Sequence, residues 1–232
     1  ALGTDRKLYI FSEGKVYDIT PIRRTASLTN PFATSSGSAT VTVTDAGHQA
    51  EVGAFVTFDN GSATNVVDGI DFNNEFEIIT VPSSNTYTIN AGTNASGTTA
   101  AGGGSTDASY QINPGPTSST YGYGWGTETW SASTWDTPRS SSNVVVAGRN
   151  WSLDNFGEDL IATVLDGGTF VWDTSGGLGA RATALSNAPT ASRFSLVSTD
   201  TRHLLIFGTE TIIGNPNTQD DLLFRFSDRE DA

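Results

Sequence analysis

Short runs of alternating apolar and polar residues, each closed by glycine, asparagine or aspartate, recur along this chain. In the stretch after Trp151, Leu160, Ala162 and Val164 fall on one face of an extended segment, and Ile161 and Thr163 on the other. The turn Leu165-Asp166-Gly167-Gly168 follows, then Thr169-Phe170-Val171-Trp172-Asp173, a second run of strand formers. Asp and Gly tolerate the positive φ of tight hairpin turns, so the pattern predicts strand, turn, strand. Lys7–Phe11, Ser12-Glu13-Gly14 and Lys15–Ile19 repeat it, and both hairpins end on aromatic–Asp–X–Thr/Ser. A third unit is expected over 192–213, with turns at Thr199-Asp200-Thr201 and Gly208-Thr209-Glu210, and a fourth beginning in 220–231. Hairpins too small to bury their own apolar faces suggest blades of a propeller or a similar stack.

Between the first two hairpins lie ATVTVTD (39–45), AFVTFDN (54–60), EFEIITV (75–81) and TYTINA (86–91). The first, second and fourth alternate cleanly, and each is bounded by turn formers. Val41, Val43, Phe55, Phe58, Phe76, Ile78, Tyr87 and Ile89 are expected to fill a small core, with a loop from Gly92 and a closing strand SYQIN. The fold class is therefore all-β: a partial β-propeller-like body of antiparallel hairpins with an inserted small β-barrel or sandwich module. The expected division is body 1–29, inserted module 30–117, a Gly/Ser/Trp-rich connecting loop 118–145, and body 146–232.

Composition narrows the function classes. The net charge is −13, and no Lys or Arg occurs between Arg24 and Arg139. Wrapping nucleic acid draws its affinity from Lys and Arg on phosphates, so it is disfavoured. The acidity suits plain solubility, or a passage through which a polyanion slides without sticking. Cysteine is absent, excluding a disulfide frame and a thiolate zinc site. Methionine is absent too, and the chain reads as an ordered piece of a longer polypeptide. No apolar run is long enough for a membrane-spanning helix, and no stable membrane insertion is expected.

Candidate chemistry is sparse. Glu158 and Asp159 sit near Asp154 and Asp166, but adjacent residues of a strand face opposite ways and cannot be a glycosidase pair. His48 and His203 have no metal-spaced company and read as structural or exposed. Asp68, Asp71, Asn73, Asn74 and Glu75 offer oxygen ligands for calcium, without the EF-hand register. GGLGAR (176–181) lacks the strand–loop–helix setting of a phosphate loop. Catalytic, cofactor and metal residues are therefore assigned to none, and no enzyme activity is expected. Trp125, Trp130 and Trp135 recur every five residues, matching neither helix nor strand. They are candidates for inter-subunit contact or for stacking on a ligand such as a sugar ring.

The phrases LGTDRKLYIF…GKVYDITPIR, NPFATSSGSATVTVTDAGH…GAFVTFDN, NNEFEIITV…TYTI, YGYGWG, WSLDNFGEDLIAT…GGTFVWD and LLFRFSDRED together resemble the tail nozzle, or packaged-DNA stabilisation protein, of short-tailed bacteriophages. Lys7–Arg23 and Trp151–Asp159 are the most specific parts. The resemblance implies a β-propeller carrying inserted β-domains, in a homohexameric tube of the virion tail. That tube would meet an adaptor ring above and distal tail or fibre proteins below. It would retain packaged DNA and conduct it during ejection without specific binding, and Asp and Glu are expected to face its lumen. The alternatives are a carbohydrate-binding tail fibre or adhesin module, to which the Trp cluster points, and a propeller glycosidase, which would need two carboxylates in a central pocket.

Overall fold

The computed structural model describes residues 1–62, 64–115, 148 and 150–229, which form β-strands and two 3-10 turns. The fold is all-β, with several antiparallel sheets and no closed barrel among the described residues. The chain makes two compact units, one of Ala1–Ile19 with Pro114–Ala232, the other of Thr20–Asn113.

The first sheet of the discontinuous unit is β1 (Leu2–Gly3), β2 (Leu8–Ser12) and β3 (Lys15–Asp18), paired in that order. Glu13 (φ 51°) and Gly14 (φ 75°) both adopt the positive φ that a two-residue hairpin turn needs. Alternation buries Leu8 and Ile10 and turns Tyr9 and Phe11 to the other face.

The continuous unit holds β4 (Ile22–Thr29), β5 (Phe32–Ala33), β6 (Thr40–Thr44), β7 (Phe55–Asp59), β8 (Val66–Val67), β9 (Ile70–Asp71), β10 (Glu75–Ser83), β11 (Thr86–Asn90) and β12 (Ser105–Gln111). Seven of them form one antiparallel sheet in the order β4-β12-β7-β10-β11-β6-β5. β10 serves both halves: Glu75–Glu77 pair with β7, and Ile78–Ser83 pair with β11 through two register shifts. Such bulges bend a strand, which is why EFEIITV does not alternate cleanly. The two ends of the strand order, β4 and β5, are consecutive in sequence around Asn30 (φ 48°) and Pro31. The sheet therefore curls around one core that includes Phe32, Val41, Val43, Val56, Phe58, Phe72, Ile78, Tyr87, Ile89 and Tyr110. Val56, not Phe55, faces that core with Phe58, because residues two apart share a face and Phe55 falls on the opposite one. The ladder of β12 with β4 places β4 in this unit, which begins at Thr20, although alternation alone leaves those residues with the body. β12 starts at Ser105, earlier than SYQIN suggests, because Gly103 (φ 102°) and Gly104 (φ 60°) turn the chain into it.

Gly103 is a sensitive point. A Cβ there would lie 2.4 Å from the ring of Phe32, which stacks on Phe72 at 3.8 Å and meets Phe58 edge-on at 4.9 Å. The ring has no room to retreat, and the positive φ adds strain. Gly103→Ala is expected to cost about 2–4 kcal/mol. A urea titration checks this, and an unchanged midpoint would contradict it.

The discontinuous unit resumes with β13 (Trp151–Phe156), β14 (Asp159–Val164), β15 (Thr169–Trp172) and β16 (Thr183–Ala184), a four-stranded meander. It ends with β17 (Phe194–Val197), β18 (Leu204–Phe207) and β19 (Phe224–Phe226), a three-stranded meander. β19 lies in the expected fourth unit, but it pairs with β18 and completes the third sheet. The insertion Thr209–Leu223 between them is held by Gly208 and Thr209 N–H groups donating to Leu223 O, which brings β19 back alongside.

These sheets stack. Leu160, Ala162 and Trp172 of the second sheet pack with Leu8, Ile10 and Ile19, and Trp151 and Leu153 join them. Ile161, on the opposite face of β14, packs with Leu204 and Ile206 of the third sheet. β14 is thus buried on both faces, which explains its nearly unbroken apolar run. The second interface also carries hydroxyls: Thr163 Oγ1 lies 2.7 Å from Ser195 Oγ and 3.0 Å from Thr169 Oγ1.

Candidate functional site

Of the acids that first suggest catalysis, Asp154 and Asp159 hold backbone in place. Asp154 accepts from Val197 N–H at 2.7 Å, capping the outer edge of β17. Asp159 accepts from Thr174 N–H and Oγ1. Asp166 takes the turn position at φ 58° and accepts from Arg193. Glu158 is exposed beside Gly157 in the β13–β14 turn. GGLGAR is not a cradle: Ala180 O accepts from Trp172 Nε1 at 3.0 Å, and Arg181 pairs with Asp18.

The oxygen-rich stretch 68–75 disperses in the same way. Asp68 accepts from Thr34, Asp71 caps the N–H groups of Asn65 and Asn73, and Glu75 accepts from Gln111. No group of three or more potential metal ligands forms among the described residues. His48 is buried in the core of the continuous unit, where Nδ1 accepts from Ala50 N–H at 2.7 Å and Nε2 donates to Ser83 O at 3.0 Å. Those partners define a neutral imidazole protonated at Nε2. His203 Nδ1 donates to Ser227 O at 2.9 Å. Trp125, Trp130, Trp135 and the connecting loop 118–145 lie outside the described residues.

Two buried carboxylates escaped the sequence reading. Asp45 takes two hydrogen bonds from Arg24 and one from Tyr110 Oη at 2.6 Å, and Tyr110 Oη in turn meets Tyr87 Oη at 3.0 Å. Burial opposes the Asp45 anion, but the bonds from Arg24 and Tyr110 outweigh it and its pKa falls below the ordinary value. Burial likewise pushes both tyrosines up, well beyond their usual range. Glu210 is fully buried, no cation among the described residues lies on its carboxylate, and four protein donors surround it. Alternation cannot flag Glu210, which lies outside a strand; Asp45 continues the Val41 and Val43 face of β6, but that period does not name Arg24 and Tyr110 as its partners.

Surface features of a different kind remain in the discontinuous unit. The outer face of β17–β19 is built from two cross-strand rows, Phe194–Phe207–Phe224 and Leu196–Leu205–Phe226. Phe194 and Phe207 stack at 4.7 Å, and Phe207 and Phe224 at 5.9 Å. Phe194, Leu196, Phe224 and Phe226 are 45%, 37%, 53% and 65% exposed. Behind this sheet lies a cavity of about 430 Å³ lined by Leu185, Ala188, Leu204, Ile206 and Arg225 among others. Arg225 donates through Nη2 to the carbonyls of Glu210 and Thr211, leaving its buried Nε without a partner. Flat aromatic rows can bind a complementary apolar surface, and the cavity behind them has a mixed lining that includes Ser186, Asn187, Ser227 and Asp228.

No protein-family model matches the chain, and no curated protein matches it. Among solved structures, the phage phi92 endosialidase is similar at 14% identity, with a TM-score of 0.33 over 95% of this chain. The match covers 33% of that protein's chain, so this one spans about a third of its length. A likeness that loose carries no argument about activity.

Proposed function

We propose that the chain is a structural component of the tail nozzle of a short-tailed bacteriophage, a homohexameric tube that retains packaged DNA and conducts it during ejection. One observation carries this reading: the residues of its two most specific phrases meet in one core. Leu8, Ile10 and Ile19 from the first phrase pack with the sheet that Trp151 and Leu153 enter, and Trp151 Nε1 donates to Thr4 O at 2.9 Å. Asp154 and Asp159 of those phrases accept from backbone N–H groups, and Asp18 pairs with Lys7 and Arg181. The resemblance therefore rests on architecture, as expected of a virion wall and not of a catalyst. The charge of −13 suits a wall past which a duplex moves without adhering.

Light scattering and negative-stain imaging test the assembly. Six-fold rings with an open centre are expected, with Asp and Glu lining the opening. A stable monomer or trimer, or a basic lumen, overturns the nozzle reading.

A further inference from the structure

The inner face of the third sheet carries a charge. β19 sets Arg225 opposite Ile206 of β18, on the face that packs toward Ile161 of the second sheet. Its Nη2 donates to Glu210 O at 3.2 Å and to Thr211 O at 3.1 Å, which fixes the guanidinium. Its Nε is buried and has no hydrogen-bond partner, and Arg225 makes no ion pair among the described residues. Gln111 Oε1 and Thr209 Oγ1 are also buried without partners, but only Arg225 of these three residues lines the cavity of about 430 Å³ behind the sheet. A buried N–H on a charged group is costly to leave unpaired, so this position calls for an acceptor.

The whole lining of the cavity comes from the discontinuous unit. Leu204, Ile206 and Pro189 are its buried wall, and Ser186, Asn187 and Asp228 are exposed at its rim. Its volume lies within the range of roughly 300–1,000 Å³ usual for small-molecule sites. We propose that this cavity binds a small monocarboxylate with an apolar body, its carboxylate on Arg225 Nε and its carbon chain on Leu204 and Ile206. An anion suits the site better than a neutral acceptor, because a charge-assisted hydrogen bond is roughly twice as strong as a neutral one. Glu210 does not fill that role, since its own carboxylate is taken up by Thr190, Ala191 and Gly214. Asp228 is the opposing charge on the lining. It is exposed, so water screens its repulsion, whereas the buried Nε attracts with less screening. The guanidinium is already held by two backbone carbonyls, so little ordering is left for the ligand to impose. The site does not depend on the nozzle reading.

Titration of the methyl-labelled whole chain with hexanoate and with hexan-1-ol, followed by NMR, tests it. Hexanoate is expected to shift the methyl resonances of Leu204 and Ile206 saturably, with a Kd on the order of 1 mM. Hexan-1-ol has the same chain without the charge and is expected to bind about 10-fold more weakly or worse. Arg225→Gln keeps an amide to bond the two carbonyls but loses the charge, and should bring hexanoate down to the affinity of the alcohol. Ala188→Leu fills the cavity without touching the guanidinium, and is expected to weaken both ligands about 10-fold. The site is overturned by the absence of saturable shifts at these methyls, by an alcohol that binds as tightly as hexanoate, or by a folded variant of either kind with the parental hexanoate affinity. If Arg225→Gln disturbs the methyl spectrum throughout, the two ligands on the parent chain and on Ala188→Leu decide the matter.

Discussion

Replacing Glu210 with alanine is expected to destabilise the discontinuous unit by about 3–5 kcal/mol, one of the two largest single-residue effects on this chain. Its Oε1 accepts from Thr190 N–H and Oγ1 at 2.9 Å each and from Gly214 N–H at 2.6 Å, and its Oε2 accepts from Ala191 N–H at 2.6 Å. One side chain thus ties the segment entering β17 to the insertion that precedes β19. Truncation leaves these donors without their anion in a site sealed from water. Glu210→Gln keeps the shape but turns an amide N–H toward a backbone N–H, so about 2–4 kcal/mol is expected. The pH dependence follows from the carboxyl's low folded pKa: burial raises it, and the bonds from Thr190, Gly214 and Ala191 more than reverse that. A depressed pKa gives stability that is fully present above the unfolded value, about 4.3, and lost as pH falls through the lower folded value. Thermal melts from pH 7 to pH 3 measure both effects. A parent and a Glu210→Gln variant with parallel pH profiles would show that the anion is not what holds the loops.

Asp45→Ala should match that loss in the continuous unit, at about 3–5 kcal/mol. Arg24 would lose both bonds of its fork, and Tyr110 Oη would lose its acceptor beside the buried Tyr87. Arg24 keeps part of its surface in water, 26% of its side chain, which places the loss at the lower end of that range. The groups act as one network, so Asp45→Ala and Tyr110→Phe combined should cost less than their separate losses summed. The coupling expected is about 0.5–3 kcal/mol. Urea unfolding of the two single variants and the double variant gives the cycle directly. Strict additivity would mean that the tyrosine hydroxyl draws nothing from the carboxylate. Asp45's folded pKa is depressed, so its contribution too is present above about 3.9 and fades as pH falls below that value.

Glu158-Asp159 and Asp68–Glu75 are conspicuous because they are dense in sequence, yet they disperse onto separate partners, Asp71 onto Asn73 N–H, Asp159 onto Thr174 and Asp68 onto Thr34, while Glu158 stays exposed. Glu210 and Asp45 stand alone in sequence and are the ones buried. Local density of charge reflects turns and strand ends, where short acids cap N–H groups. Burial of a charge depends on residues far along the chain, such as Thr190 for Glu210 and Tyr110 for Asp45. No periodicity reports such partners. His48 is of the same kind, since Ser83 O, which fixes its tautomer, is 35 residues away.

Alternation by itself determined most of the strands, the all-β class and the Asp166 turn, because a two-residue period and a positive φ are local consequences of side chain and backbone. It also placed Val41, Val43, Phe58, Phe76, Ile78, Tyr87 and Ile89 inside. Only the tertiary structure decided that β4 joins β12 and that 220–226 complete the third sheet. Each of those depends on which strand lies beside which, a choice made by packing between distant segments. The outer row Phe194–Phe207–Phe224 is the sharpest case. Its residues alternate just as the covered Leu8 and Ile10 do, and the sequence cannot distinguish an apolar face that a neighbouring sheet covers from one left open.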